Sequence, residues 1–260
     1  MPPSLVTPAI VLRSRPFGES DRIVSFLTAD YGKIIGIAKG AMRSRKRFVN
    51  SLEPFAQINL RFQDRPQSGL AFIVAADLVA GYRHLVRSLE TISHAAYLVE
   101  ITDGLVGERE ESLAVYHHLR DGLRRLETNG TSLRLLIVFE LKLLRLVGYQ
   151  PVLENCKRCA NEFPDATISQ WYFSPADGGV LCNACAGARR EALPLGAKAI
   201  KVLAALQSEA DKLPSPYSLP SSVIKEMRAA TEYFIQFHMV RQIKSAAFLQ
   251  QFSSAFSSTN

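Results

Sequence analysis

Four cysteines in two pairs give the clearest chemical signal in the sequence. Cys156 and Cys159 form one CxxC pair, and Cys182 and Cys185 form a second after a spacer of 22 residues. Each two-residue spacing lets two sulfur atoms converge on one ion, so four thiolates can surround a Zn²⁺ as a tetrahedron. Because four protein ligands leave no open coordination position, the sequence predicts one structural zinc ion rather than a catalytic one.

Two other interpretations of the cysteines stay open at this point: four buried free thiols, or a redox pair. A redox pair needs a single CxxC motif, normally in a βαβ context that this segment lacks. All four cysteines lie between residues 156 and 185, which makes a secreted disulfide scaffold a poor interpretation. Lys157 and Arg158, inside the first pair, either offset the thiolate charge or are simply solvated.

Basic residues near the N-terminus form the second group with chemical potential. Residues 1–80 contain 11 Lys or Arg against 6 Asp or Glu, a net +5 in a chain whose total is +7. Such cations neutralise phosphates and release counterions, while Phe17, Tyr31 and Phe48 offer rings for stacking on unpaired bases. The alternative is a flexible, solvated loop. The candidate nucleic-acid contacts are Arg13, Arg15, Arg22, Lys33, Lys39, Arg43, Arg45, Lys46 and Arg47.

Motifs of common enzyme classes are absent from the sequence. It contains no GxxxxGKS/T, GxGxxG, HExxH or GxSxG pattern. A zinc deaminase needs an HxE motif, but no histidine of this chain has Glu two residues later. The residues therefore predict a non-catalytic nucleic-acid-binding protein with a structural metal.

The elements that position these residues change in character along the chain. Short apolar or alternating runs in the first 80 residues predict five strands, which suit a small closed barrel because closure removes exposed sheet edges. From about residue 83 the apolar period becomes helical, and residues 133–147 are apolar nearly all round, which predicts a buried central helix. The predicted strands cover residues 9–12, 23–27, 33–38, 56–63 and 70–76, and further helices are predicted at 195–206 and 222–249.

Composition places the chain among ordinary globular proteins. Apolar residues make up 47% and charged residues 21% of its 260 residues, which argues against disorder of the whole chain. We find neither an apolar run long enough to cross a bilayer nor the pattern of a secretory signal. We therefore expect a cytoplasmic protein without membrane contact, and the predicted nucleic-acid binding adds the expectation that it is nucleoid-associated.

Several phrases, in this order, resemble the RecO family of bacterial DNA repair proteins. In the N-terminal part they are GESDRIV at 18–24, YGKI at 31–34, IAKGA at 37–41 and LEPF at 52–55. Farther along they are FELKLL at 139–144, GYQP at 148–151, YFSP at 172–175, the glycine pair 178–179, and KSAAFL at 244–249. The resemblance covers nearly the whole chain.

The resemblance implies an α+β multi-domain protein with an N-terminal OB-fold β-barrel, an α-helical domain and an inserted four-cysteine zinc ribbon. The implied boundaries are 1–80 for the barrel, 81–150 with 191–252 for the helical domain, 151–190 for the zinc insertion, and 253–260 for a flexible tail. Family membership also implies binding of single- and double-stranded DNA and annealing of complementary strands. The implied partners are RecR, the C-terminal tail of single-strand-binding protein (SSB), sometimes RecF, and RecA indirectly.

Two classes of function compete with the recombination mediator of the RecF pathway that this resemblance implies. One is a general nucleic-acid adaptor related to RNA or transcription, since such proteins share basic OB barrels and zinc ribbons. The other is a protein-interaction scaffold whose basic face binds acidic partner tails. Preference for RNA over DNA would favour the first, and binding of SSB without naked DNA would favour the second.

Overall fold

The computed structural model describes residues 3–65, 69–163, 170–187, 191–208, 219–246 and 248–249. The chain divides into two compact units. The first consists of Met1–Thr131 with Ile243–Asn260, and the second consists of Ser132–Gln242. The predicted tail at 253–260 lies outside the described residues. The predicted domain boundaries stay a prediction.

A closed five-stranded barrel forms the N-terminal part of the first unit, in the strand order β1-β2-β3-β5-β4. Neighbouring strands run antiparallel except β3 and β5, which are parallel where Gly36 faces Ala71. Pairing of β4 with β1 closes the barrel. All five strands predicted from the sequence are present, and the α+β class is confirmed. The strands are β1 (Leu5–Phe17), β2 (Asp21–Thr28), β3 (Lys33–Ala38), β4 (Gln57–Gln63) and β5 (Ala71–Ala80).

Alternation of side chains decides what the barrel buries. In β4, Ile58, Leu60 and Phe62 are almost completely buried while Asn59 and Arg61 are exposed, as the period of two requires. Strand β1 is longer than predicted because its register shifts between Val11 and Arg13. Such a bulge interrupts the alternation from which a strand is recognised, while the ladder continues beyond it.

Two long helices follow the barrel in the first unit after a short 3-10 turn, and residues 244–246 and 248–249 of this unit are also helical. Ser88 caps the first helix, its side chain accepting the N–H groups of Glu90 and Thr91. Ser112 caps the second by accepting the N–H of Val115. The helices are α1 (Leu89–Leu105) and α2 (Leu113–Asn129).

The second unit is built around the helix that the sequence predicts to be buried, α3 (Leu133–Leu146). Its Glu140 is completely buried, and an Oε1 atom of this residue lies 2.6 Å from the Arg228 guanidinium. The hydroxyl of Thr231 donates to the other carboxylate oxygen at 2.6 Å. A buried carboxylate needs such partners, so this network explains a charge inside an apolar helix. Arg228 and Thr231 belong to α6 (Ser221–His238), which follows α5 (Ala197–Ser208).

The prediction of one continuous helix over residues 222–249 is wrong, because residues 239–243 are not helical, although 244–246 and 248–249 are. Helix α6 ends at His238, because Met239 adopts extended backbone with φ −89° and ψ 134°. The aromatic ring of His238 stacks on Tyr149 at 4.2 Å between ring centroids. No proline or glycine marks this end, so the apolar pattern alone could not reveal it.

A small three-stranded sheet in the second unit holds the cysteine-rich segment, in the order β7-β6-β8. Gly179 allows the chain to close tightly at this sheet, since a Cβ atom there would lie 2.2 Å from the carbonyl oxygen of Val152. The ring of Phe173 packs edge-on against Phe234 of α6 at 5.4 Å. The elements are β6 (Trp171–Ser174), β7 (Gly179–Cys182), the single turn α4 (Asn183–Ala186) and β8 (Leu193–Leu195).

Candidate metal centre and nucleic-acid interface

The four cysteine sulfur atoms converge on one point in the second unit. All four Sγ atoms lie within 4.8 Å of one another, and those of Cys159 and Cys182 are 3.7 Å apart. A tetrahedron with Zn–S bonds of about 2.3 Å has edges of about 3.8 Å, so these spacings fit the donor set of a four-thiolate metal site. The predicted clustering is confirmed.

Two tight turns position the sulfurs. In the first, the N–H of Ala160 donates to the carbonyl of Cys156 at 2.9 Å, and Ala160 itself adopts a left-handed φ of 61°. In the second, β7 delivers Cys182 and the following turn α4 delivers Cys185. Each CxxC pair therefore sits at a reversal of the chain, which is how a two-residue spacing turns both sulfurs to one side.

Backbone N–H groups aimed at sulfur give the centre its electrostatic character. Burial raises the pKa of the Cys156 thiol, but N–H groups of Cys159, Cys182 and Arg158 outweigh burial and lower that pKa to about 6. The neighbouring Cys182 thiol, with burial, raises the pKa of Cys185 to about 12. Thiols this close therefore resist ionising together unless a cation binds them.

Arg158 makes an ion pair outside the cysteine cluster. Its Nε atom lies 3.0 Å from the Oδ1 atom of Asp177, whose other carboxylate oxygen accepts from the Ser174 hydroxyl at 2.7 Å. Asp177 and Ser174 belong to the turn between β6 and β7, so the pair connects the first cysteine turn to the hairpin. Of the two interpretations of Arg158, neutralising the thiolates receives no support from this contact.

The predicted nucleic-acid contacts divide into three groups on the barrel. Lys33 is buried beside the carboxylate of Asp103 in α1. The Arg13 guanidinium lies 3.0 Å from the same carboxylate. Arg22 at the start of β2 is half-buried and pairs with Glu53 at 2.9 Å. The others, all exposed, are Arg15 on β1 and Lys39, Arg43, Arg45, Lys46 and Arg47 in the segment after β3.

The segment after β3 makes defined contacts, and the interpretation as a flexible, solvated loop stays open. Arg47 donates from Nη2 to the carbonyl of Lys39 at 2.7 Å and places its guanidinium 4.9 Å from the ring centre of Phe48. Arg43 closes a short 3-10 turn, Ala41–Arg43. We call the exposed cations Arg43, Arg45, Lys46 and Arg47 the basic loop.

Of the three aromatic residues considered for stacking, one is well exposed. Phe17 is 49% exposed at the end of β1, whereas Phe48 is 6% exposed in the barrel core. Tyr31 is half-buried, with its ring edge-on to the core residue Phe62 at 5.4 Å. The three rings differ as stacking candidates only in how buried they are. Their burial depends on contacts between strands that are distant in sequence.

Among the described residues, no helix combines the length and the apolar character needed to cross a membrane.

Comparisons with known proteins cover almost the entire chain. The family described as "Recombination protein O N terminal" matches residues 1–82, and "Recombination protein O C terminal" matches residues 86–247. The chain belongs to the RecO family. It is similar to the DNA repair protein RecO of Syntrophus aciditrophicus, with 31% identity over 94% of this chain and 95% of that protein.

Two further RecO proteins show the same extent of similarity. The DNA repair protein RecO of Anaeromyxobacter sp. strain Fw109-5 is 33% identical over 93% of this chain and 94% of its own length. That of Caldanaerobacter subterraneus subsp. tengcongensis is 31% identical over 96% and 98%. The chain is therefore a member of a DNA repair protein family, and the predicted relationship is confirmed.

The structure also reveals a surface of this RecO-family barrel that sequence reasoning missed. Ile23, Ile37 and Phe72 are register partners on β2, β3 and β5, all half-buried and turned away from the core. The Arg65 guanidinium lies 4.6 Å from the Phe72 ring centre. We call Ile23, Ile37 and Phe72 the outer apolar row. The alternation in residues 70–76 indicated this outward-facing position, because Phe72 lies between two buried residues, Ala71 and Ile73.

Proposed function

We propose that this RecO-family protein is a non-catalytic, DNA-binding recombination mediator in DNA repair. In this proposal it binds single- and double-stranded DNA, anneals complementary strands and, with RecR, helps to load RecA onto strands coated by SSB. Its partners would be RecR, the SSB C-terminal tail and, for some of its activities, RecF. Family membership supports the assignment to DNA repair, and the finer activities are our inference.

One observation carries the DNA-binding part of the proposal: exposed cations and half-buried apolar residues occupy the outside of one closed barrel. The basic loop lies directly after β3, and Arg15 on β1 is the register partner of Ile23 in the outer apolar row. Cations bind phosphates of any sequence, whereas apolar and aromatic surfaces bind the faces of unpaired bases. A surface with both suits single-stranded DNA.

Annealing follows from charge neutralisation on that surface. Two DNA strands repel each other, and the repulsion falls when a protein offsets the phosphate charge of both. The basic loop would hold the backbones through Arg43, Arg45, Lys46 and Arg47, and the outer apolar row would keep bases unstacked until a complementary strand arrives. No proton is transferred and no covalent bond forms or breaks, so the mechanism needs no catalytic residue.

For the second unit we propose one structural Zn²⁺ held by Cys156, Cys159, Cys182 and Cys185. The supporting observation is the set of four sulfurs within 4.8 Å of one another. Zinc would join the turn at Cys156 to the end of β7 and so add to the stability that the few buried apolar residues of this small segment supply. A metal with four protein ligands fits a role in stability.

The decisive experiment measures annealing of two complementary oligonucleotides that are both coated with SSB. We expect this protein to accelerate duplex formation at least tenfold over the SSB-coated strands alone. A variant with the basic loop changed to alanine, R43A/R45A/K46A/R47A, should lose most of that acceleration. No acceleration by the intact protein would refute the mediator assignment. Tighter binding of RNA than of DNA of equal length would favour the general nucleic-acid adaptor instead.

A further inference from the structure

A second group of exposed cations lies in the first unit, outside the barrel. Arg83 and Arg87 belong to the segment that leaves β5, and Arg124 and Arg125 lie in the C-terminal half of α2. All four residues are exposed. Within the described part of the chain, none of their side chains forms an ion pair with a carboxylate. We call these four residues the arginine patch.

Contacts between the segment and the helix bring the two pairs of arginines together. The Glu127 carboxylate accepts the backbone N–H groups of His84 and of the next residue at 2.8–3.0 Å. It also lies 2.9 Å from Nδ1 of the His84 ring. On the other side of Arg83, the Tyr82 hydroxyl interacts electrostatically with Arg124. The segment therefore lies against α2, and Arg83 stands between two residues tied to this helix.

The carboxylates of α2 have other partners. Glu127 binds the donors just described, and Asp121 lies 3.0 Å from Arg120. Residues 81–131 as a whole contain six arginines against eight Asp or Glu, a net −2. Three of these carboxylates lie at residues 108–111, just before the helix begins, whereas four of the arginines gather beside its C-terminal half. The local positive charge is thus a matter of placement, which the composition of the segment conceals.

Helix stability does not account for the whole arginine patch. Cations near the C-terminus of a helix interact favourably with its dipole, which suits Arg124 and Arg125. Arg87 directly precedes Ser88, the cap at the N-terminus of α1, where the dipole disfavours a positive charge. An exposed cation kept at such a position indicates an anionic ligand.

The arginine patch matches a phosphate backbone. Guanidinium groups donate to phosphate oxygens in pairs, and cations gathered on one surface bind nucleic acid of any sequence by releasing its counterions. Residues 77–82, between this patch and the basic loop, contain no Lys or Arg and include one exposed carboxylate, Asp77. That interruption breaks a continuous track for a single strand, so the patch forms a site of its own.

The two cationic surfaces lie close together on the same unit. The N–H of Ala76 on β5 donates to the carbonyl of Arg47 in the basic loop at 2.9 Å. Arg83 follows Ala76 by seven residues. Even a fully extended chain of that length spans at most about 25 Å. Strands held on the two surfaces are therefore near enough to meet.

We propose that the arginine patch binds the phosphate backbone of a second DNA strand while the basic loop holds the first. This inference rests on the proposed DNA-binding function and deepens it, because one chain then brings two strands together by itself. The repulsion between the strands falls at both surfaces. Annealing thus needs both surfaces, whereas binding of one strand needs only one of them.

Three variants test this inference. The patch variant replaces all four arginines of the arginine patch by alanine, and the loop variant replaces the four cations of the basic loop in the same way. The control variant removes three exposed lysines of the second unit. The patch, loop and control variants are R83A/R87A/R124A/R125A, R43A/R45A/K46A/R47A and K198A/K201A/K225A.

The first test counts the strands that one chain binds. Native mass spectrometry, with an excess of a thymidine oligomer of about eight nucleotides, gives the numbers of chains and oligomers in each complex. We expect one unchanged chain to bind two oligomers, the patch and loop variants one each, and the control variant two. A patch variant that still binds two overturns the inference. So does an unchanged chain that binds only one, a result that does not depend on whether any variant folds.

The second test measures annealing of naked complementary strands. We expect the patch variant to anneal at least fivefold more slowly than the unchanged protein, while its affinity for one short oligomer falls less than threefold. The control variant should match the unchanged protein in both. Unchanged annealing by the patch variant overturns the inference. An octaglutamate peptide that binds the patch, with annealing unaffected by the patch variant, would assign the surface to an acidic protein instead.

Failure of this inference is distinguishable from failure of the proposed function. An unchanged protein that binds one oligomer per chain and still anneals strands refutes the second site alone. An unchanged protein that binds no DNA refutes the proposed function itself.

Discussion

The Lys33 ammonium donates to the backbone carbonyl of Asp103 at 2.6 Å and lies 3.6 Å from the carboxylate of the same residue. Both side chains are close to fully buried, at 11% and 8% exposure. The contact joins β3 to α1, 70 residues farther along the chain. A lysine predicted from charge alone to touch DNA is thus a structural link between the barrel and the first helix.

We therefore expect Lys33→Met to lower the free energy of unfolding by about 2–3 kcal/mol, because it leaves the buried Asp103 carboxylate with one cation fewer. Urea unfolding measures the change. The matched control is Arg15→Ala, an exposed cation on β1, which should shift stability by less than about 0.5 kcal/mol. A Lys33→Met variant that is stable but has lost most of its DNA affinity would show that Lys33 contacts DNA.

The basic loop should determine much of the salt dependence of single-strand binding. Each lost phosphate contact flattens the slope of log affinity against log salt by about 0.7 on single strands, so R43A/R45A/K46A/R47A should flatten it by up to about 3. Titrations between low and moderate salt give the slope. Three exposed lysines of the second unit, changed together to alanine, are the control: Lys198, Lys201 and Lys225. An unchanged slope in the loop variant contradicts the assignment.

Removing one thiol should remove the metal. We expect the intact chain to bind one zinc and Cys156→Ser to bind none and to melt at a lower temperature, since the binding energy of a structural zinc is part of the folding energy. Metal analysis and thermal unfolding of the same preparations test this. Arg158→Ala, which breaks only the contact to Asp177, should keep its zinc. An intact protein that is fully stable without zinc would refute the structural role.

Glu100 should make stability depend on acid pH. Burial raises the pKa of this carboxyl, but the Ser245 hydroxyl and the N–H groups of Ser245 and Lys244 outweigh burial and lower it from 4.5. A lowered pKa adds stability above pH 4.5 that disappears as the pH falls through the lower value of the folded protein. Glu100→Gln should therefore cost about 1 kcal/mol at pH 7, as loss of a cap does.

The test of Glu100 compares urea unfolding midpoints of the two proteins at several pH values. The gap between the unchanged protein and Glu100→Gln should be complete above pH 5 and should close as the pH falls below 4. Glu108→Gln provides a control, since Glu108 is an exposed carboxylate of the same unit. A gap that stays constant from pH 7 to pH 3 would show that the carboxylate charge contributes nothing.

Local patterns predicted most of the architecture. Alternation located β4 to within one residue, and continuous apolar character located α3. The cysteine spacing predicted a cluster because two CxxC turns require little help from the rest of the chain. Each of these signals is contained within a few neighbouring residues.

What the sequence could not predict depends on contacts between distant segments. The burial of Phe48 and the half-burial of Tyr31 follow from closure of the barrel, in which β4 pairs with both β1 and β5. Arg22 of β2 pairs with Glu53, 31 residues later. Composition cannot distinguish a cation held in this way from one that faces water, and three of the nine predicted contacts proved to be ion-paired.

The bonds from Ser245 to Glu100 span 145 residues, and both residues belong to the first unit. On the ribosome, α1 is therefore made long before its last partner exists, and the whole second unit is translated in between. The first unit reaches its complete set of bonds only after residues 132–242 have left the exit tunnel. A newly made chain thus passes through a stage in which the Glu100 carboxylate lacks these donors.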